Sequence, residues 1–450
     1  MPANPVTRYR RAASQSISQG RWKDAVLSLC RAVEIDPRDA STLQQLGTAL
    51  FQLGHYVEAE QAFYESLKLN PIASSAWYEF ANLLHFQGRL DEACRAYERT
   101  LSLDPGNVPA LYNRGVTHLL RGSTEEALHC FSAAALVDPS HADAHNNRGI
   151  LLQLAGDLAG AIESYRLSLK AAPRSTQAGY NLGLALQSAG ELEQALDAYH
   201  RVLRIEPDNA SAHNNLGNVL MALGEAPQAV THYSRAIEYD PANLEALWNL
   251  GVARLLLGDF ELGWKGYEYR LVQPGTVLPE LDKPRWMGEA LKDRRILLHS
   301  EQGLGDTVQF SRFVPILARQ GAVVYLACQA PLLPLMEHLP GLEKALPALD
   351  GRPPELPDYD YHLPLMSVPG ILATRAETIP ADIPYLLPDP AIVERWRLLF
   401  QELDGTPPRR RIGLSWAGNP RHKNDINRSM PLQALEPLLG LPGVRFFSLQ

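Results

Sequence analysis

The stretch Ala161–Pro173, AIESYRLSLKAAP, decides the fold of the first half of this chain. Its large apolar residues Ile162, Tyr165 and Leu169 recur at helical spacing. A small residue, Ala161, opens it, and Pro173, which cannot continue a helix, closes it. Read outward, the pattern returns. Prolines stand at 37, 71, 105, 139, 173, 207 and 241, each step being 34 residues. Glycines keep the same step, from Gly20 through Gly54, Gly88, Gly122, Gly156, Gly190 and Gly224 to Gly258. Five residues after each glycine comes a small residue, the series running Ala25, Ala59, Ala93, Ala127, Ala161, Ala195, Ala229 and then Gly263. Seven residues before each comes another: Ala13, Gly47, Ala81, Gly115, Gly149, Gly183, Gly217 and Gly251. The mid-unit glycine ends a first helix by permitting a left-handed cap. The proline ends a second helix, and the small residues let the two antiparallel helices touch closely. Large residues such as Tyr165, Tyr199 and Tyr233 are expected to fill the gap between neighbouring units.

A helix–turn–helix unit of this period resembles the tetratricopeptide repeat. The resemblance covers about residues 6–270, as eight repeats. It implies an α superhelix, a solenoid with a concave binding face. Two residues before the first-helix small residue stand Asn113, Asn147, Asn181, Asn215 and Asn249, with Gln45 and Glu79 in the second and third units. Stacking puts these side chains in one row. An amide carries donors and an acceptor, so such a row can grip an extended peptide backbone with little regard to sequence. The alternative is that each Asn bonds locally to the neighbouring repeat. The row and the HNNLG at His213–Gly217 resemble the repeat arm of O-GlcNAc transferase, which implies a protein or peptide acceptor as partner. The last unit, GDFELGWKGYEYR at Gly258–Arg270, adds Trp264, Tyr267 and Tyr269, and no proline follows at position 275. It reads as an end-cap packing on the next domain.

The period then changes. Residues 271–293 are proline-punctuated and read as a linker with Trp286 as an anchor. Strand-like RRILLHS (Arg294–Ser300), the loop EQGLGD (Glu301–Asp306), a helix over Thr307–Gln320 and the strand AVVYLAC (Ala322–Cys328) open a parallel α/β sheet. Alternation continues through Tyr361–Leu365 and the helix Ala391–Leu403. A second start follows at RIGLSWA (Arg411–Ala417), with the helix Leu432–Leu439 and the strand VRFFSL (Val444–Leu449). Two Rossmann-like domains are expected, at 294–404 and 411–450. Two strands alone would leave an apolar face and an open edge, so the second domain is expected to be truncated.

The loop at Gly303 and Gly305 is not a nicotinamide site, because Val308 stands where a third glycine is needed and no carboxylate ends the next strand. No G-K-[ST] follows, so it is not a P-loop either. Asp306, at a helix N-terminus, can be a cap. The strings HSEQGLGDTVQFSRFVPIL and IGLSWAGNPRHKNDINRSMPL resemble the catalytic domain of bacterial tetratricopeptide glycosyltransferases, which is similar to that of the heptosyltransferases. The resemblance implies a two-domain glycosyltransferase fold and makes Asp306 the general base of a metal-independent inverting transfer. Gly303, Gly305, Glu301 and His299 would form the acceptor loop. Backbone N–H groups and Asn419, Lys423, Asn427 and Arg428 would hold the diphosphate of a nucleotide-sugar donor.

Composition bounds the rest. The 450 residues carry 42 basic and 50 acidic side chains, a net charge of −8 that argues against general nucleic-acid binding. No apolar run reaches the length of a membrane span, and Met1–Gly20 has no apolar core of a signal peptide. Cys30, Cys94, Cys130 and Cys328 are scattered, which predicts reduced, mostly buried thiols, no zinc and a cytoplasmic protein. No cofactor is expected. The function expected is glycosyl transfer to a protein held by the repeat arm. The alternative is a non-catalytic repeat scaffold with a vestigial or truncated transferase domain.

Overall fold

A computed structural model describes residues 5–349, 356–404, 410–418 and 429–449. The chain divides into two compact units, one up to Leu257 and the other from Gly258 onward.

The first unit is a run of helical pairs. The first three pairs are α1 (Pro5–Ser18) with α2 (Trp22–Ile35), α3 (Ala40–Gln52) with α4 (Tyr56–Leu69), and α5 (Ser74–Phe86) with α6 (Leu90–Leu103). Next come α7 (Val108–Leu120) with α8 (Thr124–Val137), and α9 (Ala142–Leu154) with α10 (Leu158–Ala171). The series continues with α11 (Thr176–Ser188) and α12 (Leu192–Ile205), then α13 (Ala210–Ala222) and α14 (Ala226–Tyr239), and α15 (Leu244–Leu256) ends the unit. Each mid-unit glycine from Gly20 to Gly224 has φ between 69° and 85°. At Gly88, Gly122 and Gly190 an added Cβ would meet nothing, so backbone conformation and not space demands glycine there. Side chains at Asn107, Ser175, Asn209 and Asn243 accept first-turn N–H groups and cap the first helix of their repeats.

The large rings lie elsewhere than expected. Tyr165, Tyr199 and Tyr233 sit inside their own repeats, on Gly149, Gly183 and Gly217 of the first helix, and Phe63 and Phe131 do the same on Gly47 and Gly115. A Cβ added at any of these five glycines would stand 2.5 to 2.9 Å from the ring, so only bare backbone admits so close an approach. The rings are almost fully buried. Buried side chains from Ala161 to Ala253 join in one cluster, so the core passes from repeat to repeat.

The eighth pair is not completed within this unit. The next helix, α16 (Phe260–Tyr267), belongs to the second unit, so the boundary expected at Arg270 falls after Leu257. The reason is Trp264, whose Nε1–H donates to the Thr374 carbonyl (2.9 Å) and whose stem packs on Gly370. Residues 271–293 are likewise no free linker, because Leu271, Trp286 and Leu291 are buried and the Trp286 N–H donates to the His362 carbonyl.

The second unit holds four parallel strands, β1 (Arg295–His299), β2 (Val323–Cys328), β3 (Leu342–Pro347) and β4 (Tyr361–Pro364), in the order β3-β2-β1-β4. Register pairs Leu297 with Tyr325 on one side and with His362 on the other. Strand β3, which the sequence reading omits, is an edge strand with Glu343 and Lys344 exposed. The helix expected over Thr307–Gln320 is two helices, α17 (Leu304–Ser311) and α18 (Val314–Arg319), and it begins three residues earlier. Farther on, β5 (Arg410–Leu414) and β6 (Val444–Ser448) form a separate two-stranded parallel sheet. Cys94, Cys130 and Cys328 are buried, Cys30 is exposed, and all four are free thiols. No helix among the described residues is long and apolar enough to cross a membrane.

The ring-on-glycine contact makes a direct prediction. Gly217→Val forces Tyr233 off its seat and should cost about 2 kcal/mol by overpacking. Gly190→Ala puts a Cβ on a left-handed residue and should cost about 1 kcal/mol. Denaturant titration of the helical circular dichroism checks both, and a Gly217→Val chain as stable as the parent would refute the contact.

Candidate functional site

Two places concentrate polar side chains. The first is the row on the first helices. Asn147 Nδ2 donates to Tyr112 Oη (3.1 Å), Asn181 to Asn146 Oδ1 (3.0 Å) and Asn215 to Tyr180 Oη (2.8 Å), each partner lying 35 residues back. Asn113 reaches Tyr78 Oη and Asn82 Oδ1, at 3.2 and 3.1 Å. Asn249 reaches Asn214 Oδ1 and Asn218 Oδ1, at 3.1 and 3.0 Å. All five therefore bond to the preceding repeat. Asn82 and Asn218 also accept the hydroxyls of Tyr97 and Tyr233, which ties the row to the buried rings. In these bonds Asn147, Asn181 and Asn215 each use one of two N–H groups, so the row both staples repeats and keeps donors for something else. The row is half-buried, Asn181 being the most enclosed. At its start Glu79 takes the amide's place, and burial pushes its carboxyl up against the pull of Asn82.

The second place is the carboxyl edge of the four-stranded sheet. The chain steps from β1 to β2 to β3 in one direction, then returns to place β4 on the opposite side of β1. A cavity of about 740 Å³ lies over the ends of β1, β2 and β3, lined by Ser300, Glu301, Gln302, Gln329, Ala348 and Leu349 together with 277–280. Gln329 clamps the glycine loop: its Nε2 donates to the Gln302 carbonyl (2.6 Å), and its Oε1 accepts from Thr307 Oγ1 (2.9 Å).

The expected site residues divide sharply. Asp306, half-buried in the first turn of α17, accepts the Gly303 N–H at 3.1 Å, a cap's geometry. Gly303 has extended backbone, and Gly305 sits inside the first turn of α17 with open space above it. Glu301 is held by Arg270 Nη2 at 2.7 Å. Burial pushes the Glu301 carboxyl up, and Arg270 opposes the shift. His299 is 2 % exposed and faces His362 (3.4 Å), and burial drives it down to about 3, so it stays neutral. Asn419, Lys423, Asn427 and Arg428 lie outside the described residues.

Sequence reasoning missed what surrounds Glu301. Arg270, 5 % exposed, also donates to Glu268 Oε1 (2.8 Å) and Ser367 Oγ (2.8 Å), while Arg285 binds the other oxygen of Glu268. Both arginines and Glu268 sit in stretches read as an end-cap and a linker, where nothing in the spacing singles them out.

The family described as tetratricopeptide repeat matches residues 45–108, 78–128 and 112–176, and the one described as TPR repeat matches 187–224 and 217–258. The first unit is a tetratricopeptide-repeat array. The chain is 30% identical over 204 residues to protein FlbA of Caulobacter vibrioides, a match covering 42% of this chain and 34% of that protein. It therefore spans about a third of that relative's length. Among solved structures it is similar to YrrB, a TPR protein with an unusual peptide-binding site, at 24% identity and TM-score 0.40, covering 42% of this chain and 97% of that one. A tetratricopeptide repeat protein from Parabacteroides merdae matches at 18% identity and TM-score 0.39, covering 55% and 98%.

The buried ion pair outside the array is testable. Arg270→Met leaves Glu301 enclosed without its cation and should destabilise the second unit by about 3 kcal/mol. Arg270→Met with Glu301→Met should recover most of that loss. Denaturant melts of the four chains give the coupling, and additive losses would show that the pair is energetically idle.

Proposed function

We propose that the chain is a protein-binding scaffold whose tetratricopeptide array holds an extended segment of a partner polypeptide along its first-helix face. The observation that carries this reading is the amide row itself. It runs unbroken through five repeats and keeps unused N–H donors at Asn147, Asn181 and Asn215 after stapling the repeats together. Main-chain carbonyls of an extended segment are natural acceptors for such donors, and a grip on the backbone is tolerant of sequence. Fluorescence polarisation with a panel of unrelated extended peptides tests it. Replacing Asn147, Asn181 and Asn215 together by Ala should weaken binding at least tenfold, measured well below the melting transition. The same variant should lose roughly 1 kcal/mol of stability per staple. Unchanged peptide affinity in the folded variant would make the row purely structural.

A second reading concerns the second unit. The parallel sheet reverses order beside β1, and a cavity covers the carboxyl ends of β1, β2 and β3, the place where open α/β sheets take ligands. With the glycosyltransferase resemblance, this supports sugar transfer from a nucleotide-sugar donor to the bound polypeptide, with Asp306 as base and Lys423 and Arg428 facing the diphosphate. Asp306→Asn should then lower turnover by about 10²–10⁴-fold while leaving nucleotide affinity intact. Full activity in that variant would reduce Asp306 to the helix cap its geometry describes. No transfer by the parent chain would leave the scaffold reading alone.

A further inference from the structure

A column of exposed apolar side chains runs beside the amide row. Seven residues after the row position, two helical turns on and so on the same face, stand Phe86, Leu120 and Leu154 in the third, fourth and fifth repeats. They are 60 %, 62 % and 76 % exposed. Ser188 and Ala222 hold that place in the next two repeats, and Leu256 in the eighth. Between the two columns, three residues after the row position, Val116, Ile150 and Leu184 are half-buried. Helical side chains lean toward their own N-terminus, so Leu120 and Leu154 lean back toward the amides. Phe86 heads the column, its ring 5.6 Å from Phe51 and 5.1 Å from Tyr56 of the preceding repeat.

Dimensions select the conformation of what lies there. Neighbouring first helices bond directly, Asn181 on α11 to Asn146 on α9 and Asn215 on α13 to Tyr180 on α11. Each rung therefore advances by the spacing of packed helices, roughly 8–10 Å. One polyproline-II turn takes three residues, rises about 9.3 Å and returns every third side chain to the same face. A β-strand covers about 10 Å in three residues, but its side chains alternate, so successive rungs would meet opposite faces. Polyproline II also makes no internal hydrogen bonds, which leaves its carbonyls free for the unused donors of Asn147, Asn181 and Asn215. Charge narrows the choice further. In the fourth to sixth repeats, the positions four before, at, three after and seven after the row carry one charged side chain, the acid Asp143. A carboxylate laid on this face would meet repulsion and no cation.

We propose, on the scaffold reading above, that the partner segment is a polyproline-II stretch with an apolar side chain at every third position and no carboxylates. Its backbone lies on the amides, and its apolar edge lies on Val116, Ile150, Leu184, Leu120 and Leu154. Four rungs take about twelve residues. The three rings at Phe86 receive a proline at one end, as aromatic grooves do.

Fluorescence polarisation with labelled peptides that share lysine-capped ends tests the proposal. One carries five Leu-Pro-Pro triplets, a second five Ser-Pro-Pro triplets, and a third the residues of the first rearranged so that leucines fall at every second position. The first should bind at least about tenfold tighter than the other two, since it alone lays an apolar group on each rung. Replacing one central proline of the first by Glu should weaken it several-fold. Leu120→Ser with Leu154→Ser, the residue already present at 188, should keep the melting curve and cut the first peptide to the affinity of the second. Equal affinity for all peptides, lost on replacing Asn147, Asn181 and Asn215 by Ala, overturns the proposal and leaves the sequence-tolerant grip standing. Binding of none of the peptides removes both. A peptide-free dimer in analytical ultracentrifugation that the two serine substitutions dissociate would give the column to a second copy of the chain, and the proposal falls.

Discussion

Everything in the first unit depends on a ring lying against bare backbone. In five repeats a Phe or Tyr of the second helix covers a glycine of the first, closer than any Cβ would allow. That contact sets the distance between the two helices and so the thickness of the repeat. It also aims the phenol. Tyr233, seated on Gly217, presents its hydroxyl to Asn218 on the first-helix face, and Tyr97, whose repeat has Ala81 in place of the glycine, does the same to Asn82; the next repeat's Asn249 and Asn113 bond the same oxygens. Intrarepeat packing and interrepeat bonding are thereby joined at single atoms, and the stack inherits its register from the seat of the ring.

The second unit handles polarity in the opposite way. The array distributes neutral amides along a half-open face, whereas the sheet domain gathers charge into one knot, in which Arg270 and Glu301 are enclosed and Glu268 and Arg285 half-buried. A buried charge is tolerated only where partners surround it, and Arg270 meets two carboxylates, a hydroxyl, a carbonyl and the face of Tyr267. Glu301 and His299, adjacent to the loop in sequence, are thereby drawn into structural work, one as an ion-pair partner and the other as a neutral packed ring.

Much of the first unit was legible because its causes are local and periodic. Gly190 and Pro173 act on their own backbone, and repetition every 34 residues amplifies each signal until chance is excluded. The strands β1, β2, β4, β5 and β6 were legible from apolar runs. Strand β3 was not, since Glu343 and Lys344 at the sheet edge break the run. The seat of Tyr165 was misplaced because sequence spacing shows that a glycine and a ring coexist in a repeat, not which helix faces which. The bonds of the amide row were foreseen only as an alternative, since a step of 35 rather than 34 residues is visible only in three dimensions. Arg270 and Arg285 were illegible because nothing in the spacing ties them to partners as distant along the chain as Glu301 and Ser367.

That single extra residue gives the row a sense of travel. Asn113, Asn147, Asn181, Asn215 and Asn249 all send their N–H toward the earlier repeat and none toward the later one. The face is therefore a one-way track, with donors leading at every rung in the same order. Head and tail of any strand laid along it are chemically distinguishable from the first contact, before a single side chain is consulted.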